Sequence, residues 1–268
     1  MAPSFSDHPL SPALGDLVRS VWSLDYGADA AELPGLIAPD AQVEFVFQTG
    51  APAGLVVAGE ELPGSSGAMI YALRHGTLRM VPRGANRIVA FRTAPAVASV
   101  ILRNDLGDCW DRPVPLAELI GAEADSLLDR IASTPRDALG AVMEDWLTAR
   151  LAGWSGEDAD NLALQHALFW RFTLEPVSHL ADELGVTART LRRRCVRYSG
   201  LSPKQLVMSG RTLRSCGLLH HRPDLSIVDI AYGLGFSDQA AFTNAFGHYV
   251  GMSPGRLRAE PLVFCEAP

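Results

Sequence analysis

Two different periods divide the chain. From Pro34 to Arg103 short apolar runs, VEFVF (43–47), GLVVAG (54–59), AMIYAL (68–73), RIVAF (87–91) and ASVIL (98–102), are separated by APAG, PGSSG and PRGAN. Short runs bounded by Gly, Pro and Asn clusters predict β-strands. From Val114 to Leu151 the spacing becomes helical: Leu116, Leu119 and Ile120, then Leu127, Leu128 and Ile131, then Leu139, Val142, Met143, Trp146 and Leu147. Ala152–Asp160 (AGWSGEDAD) is small, polar and acidic and reads as a linker or short connection, after which the pattern is helical to about Arg258. Strands and helices segregated in this way predict an α+β front domain over residues 1–155 and an all-α domain over residues 160–260.

The helical part repeats itself. One copy runs from Val177 to Pro203 (VSHLADELGVTARTLRRRCVRYSGLSP), the other from Ile227 to Pro254 (IVDIAYGLGFSDQAAFTNAFGHYVGMSP). Ala181, Leu184 and Gly185 match Ala231, Leu234 and Gly235 at an offset of 50 residues. Leu191, Cys195, Gly200, Ser202 and Pro203 match Phe242, Phe246, Gly251, Ser253 and Pro254 at an offset of 51. The extra residue therefore falls between the helices of the second copy, as expected of a repeated structural unit.

Each copy has the same physical logic. Val177, Leu180, Ala181 and Leu184 form an apolar stripe at i, i+3, i+4 and i+7. Gly185 follows where a helix end favours positive φ. Val186 plugs the corner, and Thr187 is placed to cap the next helix. That helix carries only Leu191 and Cys195 inward, with Arg189, Arg192, Arg193, Arg194 and Arg197 on the remaining surface. The second copy repeats the scheme with Ile227, Ile230, Ala231 and Leu234, then Gly235, Phe236 and Ser237, then Phe242 and Phe246. Two helices around a short Gly turn, the second exposed and polar, define a helix-turn-helix whose second helix fits the major groove.

Charge sharpens this picture. The chain is acidic as a whole, with net charge −7, which taken alone argues against a nucleic-acid partner. Residues 1–160 hold 11 basic and 22 acidic residues, net −11, whereas residues 161–268 hold 12 and 8, net +4. The half with the repeat is the half suited to a polyanion.

The segment from about Leu162 to Arg258 resembles the AraC/XylS-type DNA-binding domain. The resemblance rests on LADELGVTARTLRRR, IAYGLGFSDQAAFTNAF, the two G-x-S-P endings and the intervening RTLRSCGLLHHRPDLSI. It implies two helix-turn-helix units joined by a helix, here Pro203–Leu219, so that both reading helices enter successive major-groove segments on one face of DNA. The first reading helix corresponds to Thr187–Arg197, with Arg189, Arg192 and Arg193 outward and Arg197 a turn later on phosphate. The second corresponds to Asp238–Phe246, with Gln239, Ala240, Thr243 and Asn244 outward. Arginine suits guanine and phosphate, Gln and Asn suit adenine, and Ala or a Thr methyl suits the thymine methyl. The chain departs from the family pattern at Cys195, where Phe is usual, and near Asn244, Gly247 and His248, where basic residues are usual. The first unit is therefore expected to supply more of the electrostatic affinity. Arg211 and Arg214 are expected on a helix surface or paired with Asp224 or Asp229.

The front half resembles, more loosely, the front domain of a poorly characterised subgroup of these regulators, a small β-barrel-like domain followed by helices. Such domains sense a ligand or dimerise. Trp22, Phe45, Phe47, Tyr71, Phe91 and Trp110 would line a pocket with Glu44, Arg74, Arg79 or Arg83 as polar handles, or would simply fill the barrel. No G-x-S-x-G, P-loop or G-x-G-x-x-G is present, and His8 and His75 are the only front-half histidines before the helical part, so no catalytic residue, metal site or cofactor is expected. Cys109, Cys195, Cys216 and Cys265 are scattered and read as reduced thiols. The first residues lack the pattern of a signal peptide, and no run is long enough for a membrane helix, so a cytoplasmic protein is expected. The leading expectation is a bacterial-type transcription regulator with duplex DNA as partner. A small-molecule effector, a homodimer and a contact with RNA polymerase remain open. The alternative is a small-molecule-binding or enzymatic front module whose helical domain makes protein contacts.

Overall fold

The computed structural model describes residues 4–28, 36–57, 59–72, 75–81, 83–171 and 176–260. Strands β1 (Ser4–His8), β2 (Val18–Tyr26), β3 (Val43–Val57), β4 (Glu60–Ala72), β5 (Leu78–Val81), β6 (Asn86–Thr93) and β7 (Val114–Pro115) form one sheet. Its path is β1-β2-β6-β3-β4-β7, with β5 on β3. The long β3 is the spine: its first half pairs with β6, its second half pairs with β5, and β4 runs along its other edge. Along this path β1 and β7 are the two ends, so the α+β front is barrel-like only in the loose sense: among the described residues the sheet does not close.

Alternation along the strands separates two apolar faces. Phe45 and Phe91 sit opposite each other in the β3–β6 ladder and stack with ring centroids 4.4 Å apart. Phe47 meets Trp146 edge-on at 6.3 Å. This face packs on helices α2 (Pro95–Leu102), α4 (Glu123–Ser133) and α5 (Leu139–Arg150), with the short α1 (Pro12–Gly15) and α3 (Leu116–Ile120) at its margins. The other face gathers Trp22, Tyr26, Val46, Ile88 and Ala90.

Two sequence expectations change here. ASVIL is not a strand: it lies in α2, which begins with Pro95 at its first turn. Ala96, Val97, Ala98, Ile101 and Leu102 are all buried, so the helix has no polar face to reveal its period, and a short apolar run is then ambiguous. Within Ala152–Asp160, only residues before Gly156 connect. Ser155 caps α6 (Gly156–His166), its hydroxyl accepting from the Asp158 amide while Asp158 accepts from the Ser155 amide at 2.9 Å. The acidity that resembled a linker is the first turn of a helix, where carboxylates are favoured.

The C-terminal half contains α7 (Val177–Glu183), α8 (Ala188–Ser199), α9 (Pro203–His221), α10 (Ile227–Gly233), α11 (Gln239–Val250) and α12 (Pro254–Ala259). α9 is the joining helix, two residues longer than expected. It crosses the π-helical turn Ala167–Arg171 at Gly210, where an added Cβ would stand 2.0 Å from the Phe169 carbonyl oxygen. The apolar core of the front sheet continues without a break through Leu168 and Phe169 into Leu180, Ala181, Leu191, Cys195 and Leu213. A separate cluster holds Cys216, Leu219, Ile230, Ala231, Leu234, Phe242 and Phe246 together with Leu36 and Ala38 from the front half. α9 thus leaves one core and enters another between Leu213 and Cys216.

Gly210→Ala is expected to lower stability by about 1–3 kcal/mol, because overpacking against a fixed carbonyl outweighs the gain in helix propensity of up to about 1 kcal/mol. Gly233→Ala, where nothing lies within 4 Å of the added Cβ, should be neutral or stabilising. Thermal denaturation of the two variants checks the opposite signs.

Candidate nucleic-acid interface

The two units close their corners with the same backbone geometry. In the first, the Val186 amide donates to the Ala181 carbonyl and the Gly185 amide to the Asp182 carbonyl, both at 3.0 Å, with Gly185 at φ +61°. In the second, the Phe236 amide donates to Ala231 and the Gly235 amide to Tyr232, both at 3.0 Å, with Gly235 at φ +74°. This paired 6→1 and 5→2 bonding is a Schellman motif. It needs a left-handed residue at the corner, which glycine adopts without penalty. Ala181 and Ala231, members of the apolar stripes, are buried. Leu184 is not: it is 44% exposed, whereas its counterpart Leu234 is 4% exposed. The stripe is therefore incomplete in the first copy.

Beyond the corners, Thr187 Oγ1 accepts from the Thr190 amide at 3.2 Å and starts α8. In the second unit the cap is Asp238, not Ser237: Asp238 Oδ1 accepts from the Ala241 amide at 2.7 Å, and the Ser237 hydroxyl donates to Asp238 Oδ2. The inserted turn residue moves the cap one position along. The Ala241 amide, then the Ser237 hydroxyl, holds the Asp238 carboxyl below its usual range. α11 accordingly begins at Gln239 and runs beyond Phe246 to Val250.

With the caps aligned, the outward faces coincide position by position. Arg189, Arg192, Arg193 and Arg197 of α8 correspond to Ala240, Thr243, Asn244 and His248 of α11. The four arginines are exposed, as are Gln239, Ala240 and Asn244, while Thr243 is half-buried. Inward, Leu191 and Cys195 correspond to Phe242 and Phe246, all buried. Burial pushes the Cys195 thiol up to about 12, so this smaller residue in a Phe position is an inert apolar filler.

The arginine run divides by role. Arg194 turns inward, its guanidinium donating to Asn161 Oδ1 at 3.0 and 3.3 Å. Tyr198 donates to Glu157, also on α6, and Arg197 lies over the Tyr198 ring at 5.2 Å. α6 therefore braces the reading helix from behind, leaving Arg189, Arg192 and Arg193 outward. Asn161 and Glu157 escaped the sequence reading because their partners lie more than thirty positions away and no spacing rule links them. Asp224 pairs with Arg222 at 2.7 Å and Asp229 completes the cap of α10 with Ser226. Arg211 is held over the Phe236 ring, and burial lowers its pKa.

The front half holds a concavity, on the opposite side of the sheet from Phe45, Phe47 and Phe91. Alternation along β3 sends Glu44, Val46 and Gln48 into it and the two phenylalanines away. Of the expected lining, Trp22, Tyr71 and Glu44 are there. Trp110 is not; its indole donates to the Ser199 carbonyl at 2.9 Å. Arg79 pairs with Glu260 and Arg83 with Glu61, so neither is a handle, and Arg74 lies outside the described residues. The cation of the cavity is Arg92, between Asp40 (2.7 Å) and Glu44 (3.1 Å). Burial alone would lower its pKa, but the two carboxylates overturn that and hold it above the usual arginine value.

A helix-turn-helix domain family matches residues 180–260. The transcriptional activator RhaS of Escherichia fergusonii is 31% identical over 107 residues, 38% of this chain and 38% of RhaS. The Msm operon regulatory protein of Streptococcus mutans is 37% identical over 84 residues, 31% of this chain and 30% of its own length. The aligned part thus spans less than two fifths of these relatives. Among solved structures, ToxT of Vibrio cholerae aligns over 95% of this chain and 97% of its own at 14% identity, with a TM-score of 0.42, too low to establish a common fold.

Asn161→Ala is expected to cost about 1–3 kcal/mol, because it leaves the half-buried Arg194 guanidinium without this acceptor. Urea denaturation checks the loss, and an unchanged midpoint would show that α6 does not brace α8. By its repeated corners, its aligned reading faces and the family match over residues 180–260, the C-terminal part of this chain holds a helix-turn-helix domain.

Proposed function

We propose that the chain is a sequence-specific DNA-binding transcription regulator, with residues 1–155 as a sensor or dimerisation domain and residues 160–260 as the reader. One observation carries this reading: two corners of identical backbone geometry present two helices whose outward faces coincide in register, the first lined with exposed arginines. Arg189, Arg192 and Arg193 are assigned to bases and phosphates, and Arg197 to phosphate. Gln239, Ala240, Thr243 and Asn244 are assigned to A·T-rich recognition. With no arginine or lysine at the corresponding positions of α11, the first unit is the electrostatic anchor.

Duplex DNA is the partner this reading requires. It also allows a small-molecule effector in the cavity around Trp22, Tyr71 and Arg92, a second copy of the chain, and RNA polymerase. The matched relatives are named as a transcriptional activator and an operon regulatory protein, which favours a regulator without enzymatic activity. No described helix is long and apolar enough to cross a membrane, in keeping with action in the cytoplasm.

Binding to duplex DNA measured over a salt series should give a straight, falling plot of log K against log salt, with a slope of about −0.9 per phosphate neutralised. A flat plot would contradict the reading. Arg192→Ala should lose about 1–3 kcal/mol of discrimination at one base pair, whereas Arg197→Ala should weaken all sequences alike and reduce the slope by about 1.

A further inference from the structure

A helix ends with carbonyls that have no partner inside it. Both reading helices end this way, and in both the front half supplies a donor. The Trp110 indole donates to the carbonyl of Ser199, the last residue of α8, at 2.9 Å. The Gly76 amide donates to the carbonyl of Tyr249, in the last turn of α11, at 2.7 Å. Around the first bond the fit is close: a Cβ on Gly200 would stand 2.9 Å from the indole nitrogen and 3.1 Å from the Gly107 amide nitrogen. Around the second, the His75 ring stacks on Tyr249 at 5.1 Å and meets His248 edge-on at 5.0 Å.

These two contacts share one turn. Asp111 follows Trp110 directly, and its carboxylate takes both the His75 amide (3.0 Å) and His75 Nδ1 (3.1 Å). The Asp111 amide in turn donates to the Ala72 carbonyl at 2.7 Å. Asp111 lies in the left-handed region, φ +60°, so the backbone reverses here. Trp110 reaches one reading helix, and Asp111 positions the loop that reaches the other.

The units need such a link. The first helix-turn-helix is continuous with the front core, but the second belongs to a different apolar cluster, and α9 passes from one to the other between Leu213 and Cys216. Besides α9, Leu36 and Ala38 of the front half pack into the second cluster and Arg79 pairs with Glu260; the contact at the far end of α11 adds a third point, which removes the remaining freedom to twist or tilt about the junction. It does so without covering the reading faces, because Arg189, Arg192, Arg193, Gln239, Ala240 and Asn244 all remain exposed.

We infer that the Trp110–Asp111 turn acts as a caliper: it fixes the separation of the two reading helices and thereby makes the protein strict about the spacing between the two halves of its DNA site. Asp111 and His75 are positioning residues in this scheme and touch no DNA. The inference rests on the DNA-reading function proposed above.

The test uses the full chain, as wild type, Asp111→Gly and His75→Ala. Glycine keeps the left-handed backbone while removing the carboxylate. The probe is the duplex the wild type prefers, together with duplexes having one base pair added or removed between the two half-elements. The wild type should lose affinity about tenfold or more on either change, and both variants should lose less than about threefold. Amide hydrogen exchange in the free protein should quicken at Gly76 and over residues 247–251 in both variants, with the thermal transition still cooperative. A spacing penalty in the variants equal to that of the wild type, or unchanged exchange, overturns the caliper. A wild type that prefers no duplex overturns the DNA reading instead, and the exchange measurement then still judges the link between the halves.

Discussion

A helix that reads DNA must be held at a fixed angle while most of its surface stays unburied. Only three positions of α8, Leu191, Cys195 and Ser199, and their counterparts Phe242, Phe246 and Val250 in α11, are available to anchor it well inside the protein. The angle must therefore come from the backbone. Here it comes from the corner at Gly185 and again at Gly235, where two amides cross back to the preceding helix and a left-handed glycine turns the chain. A side chain at either position would be strained in that conformation, whatever space surrounds it. The exposed arginines, the brace from α6 and the contacts from the front half all presuppose that this corner holds.

Because the corner is local, it is legible in the sequence. Gly185 and Gly235, the cap at Thr187, the small Ala181 and Ala231 and the inward Phe242 and Phe246 all follow from spacing within a few residues. So does the one-residue insertion, although only the structure shows that it moves the cap from Ser237 to Asp238. The largely buried α2 leaves no such trace, since a helix with six of its eight residues in the core has no polar stripe. The acidic start of α6 has a composition shared by linkers and by capped first turns. Residue type alone leaves the front-half aromatics as either pocket lining or core; the sheet alternation divides them, with Phe45, Phe47 and Phe91 in the core and Trp22 and Tyr71 on the face with Glu44.

What no local rule reveals are the long bonds: Arg194 to Asn161, Trp110 to Ser199, and Gly76 to Tyr249. Each joins groups distant in sequence and satisfies a donor or acceptor that the local structure leaves open. These bonds make the two repeats unequal. The first unit is rooted in the front core and rich in exposed cations. The second sits in its own cluster, with His248 where the first has Arg197, and that histidine packs against His75 of the front half.

The most direct test of this account is selection of preferred sequences by the full chain from a random pool of duplex DNA. The account predicts two enriched blocks about one helical turn apart, centre to centre. The block under the first unit should carry guanine contacts that are lost with Arg189, Arg192 or Arg193, and the other should be A·T-rich. A single block, or no enrichment at all, would contradict it.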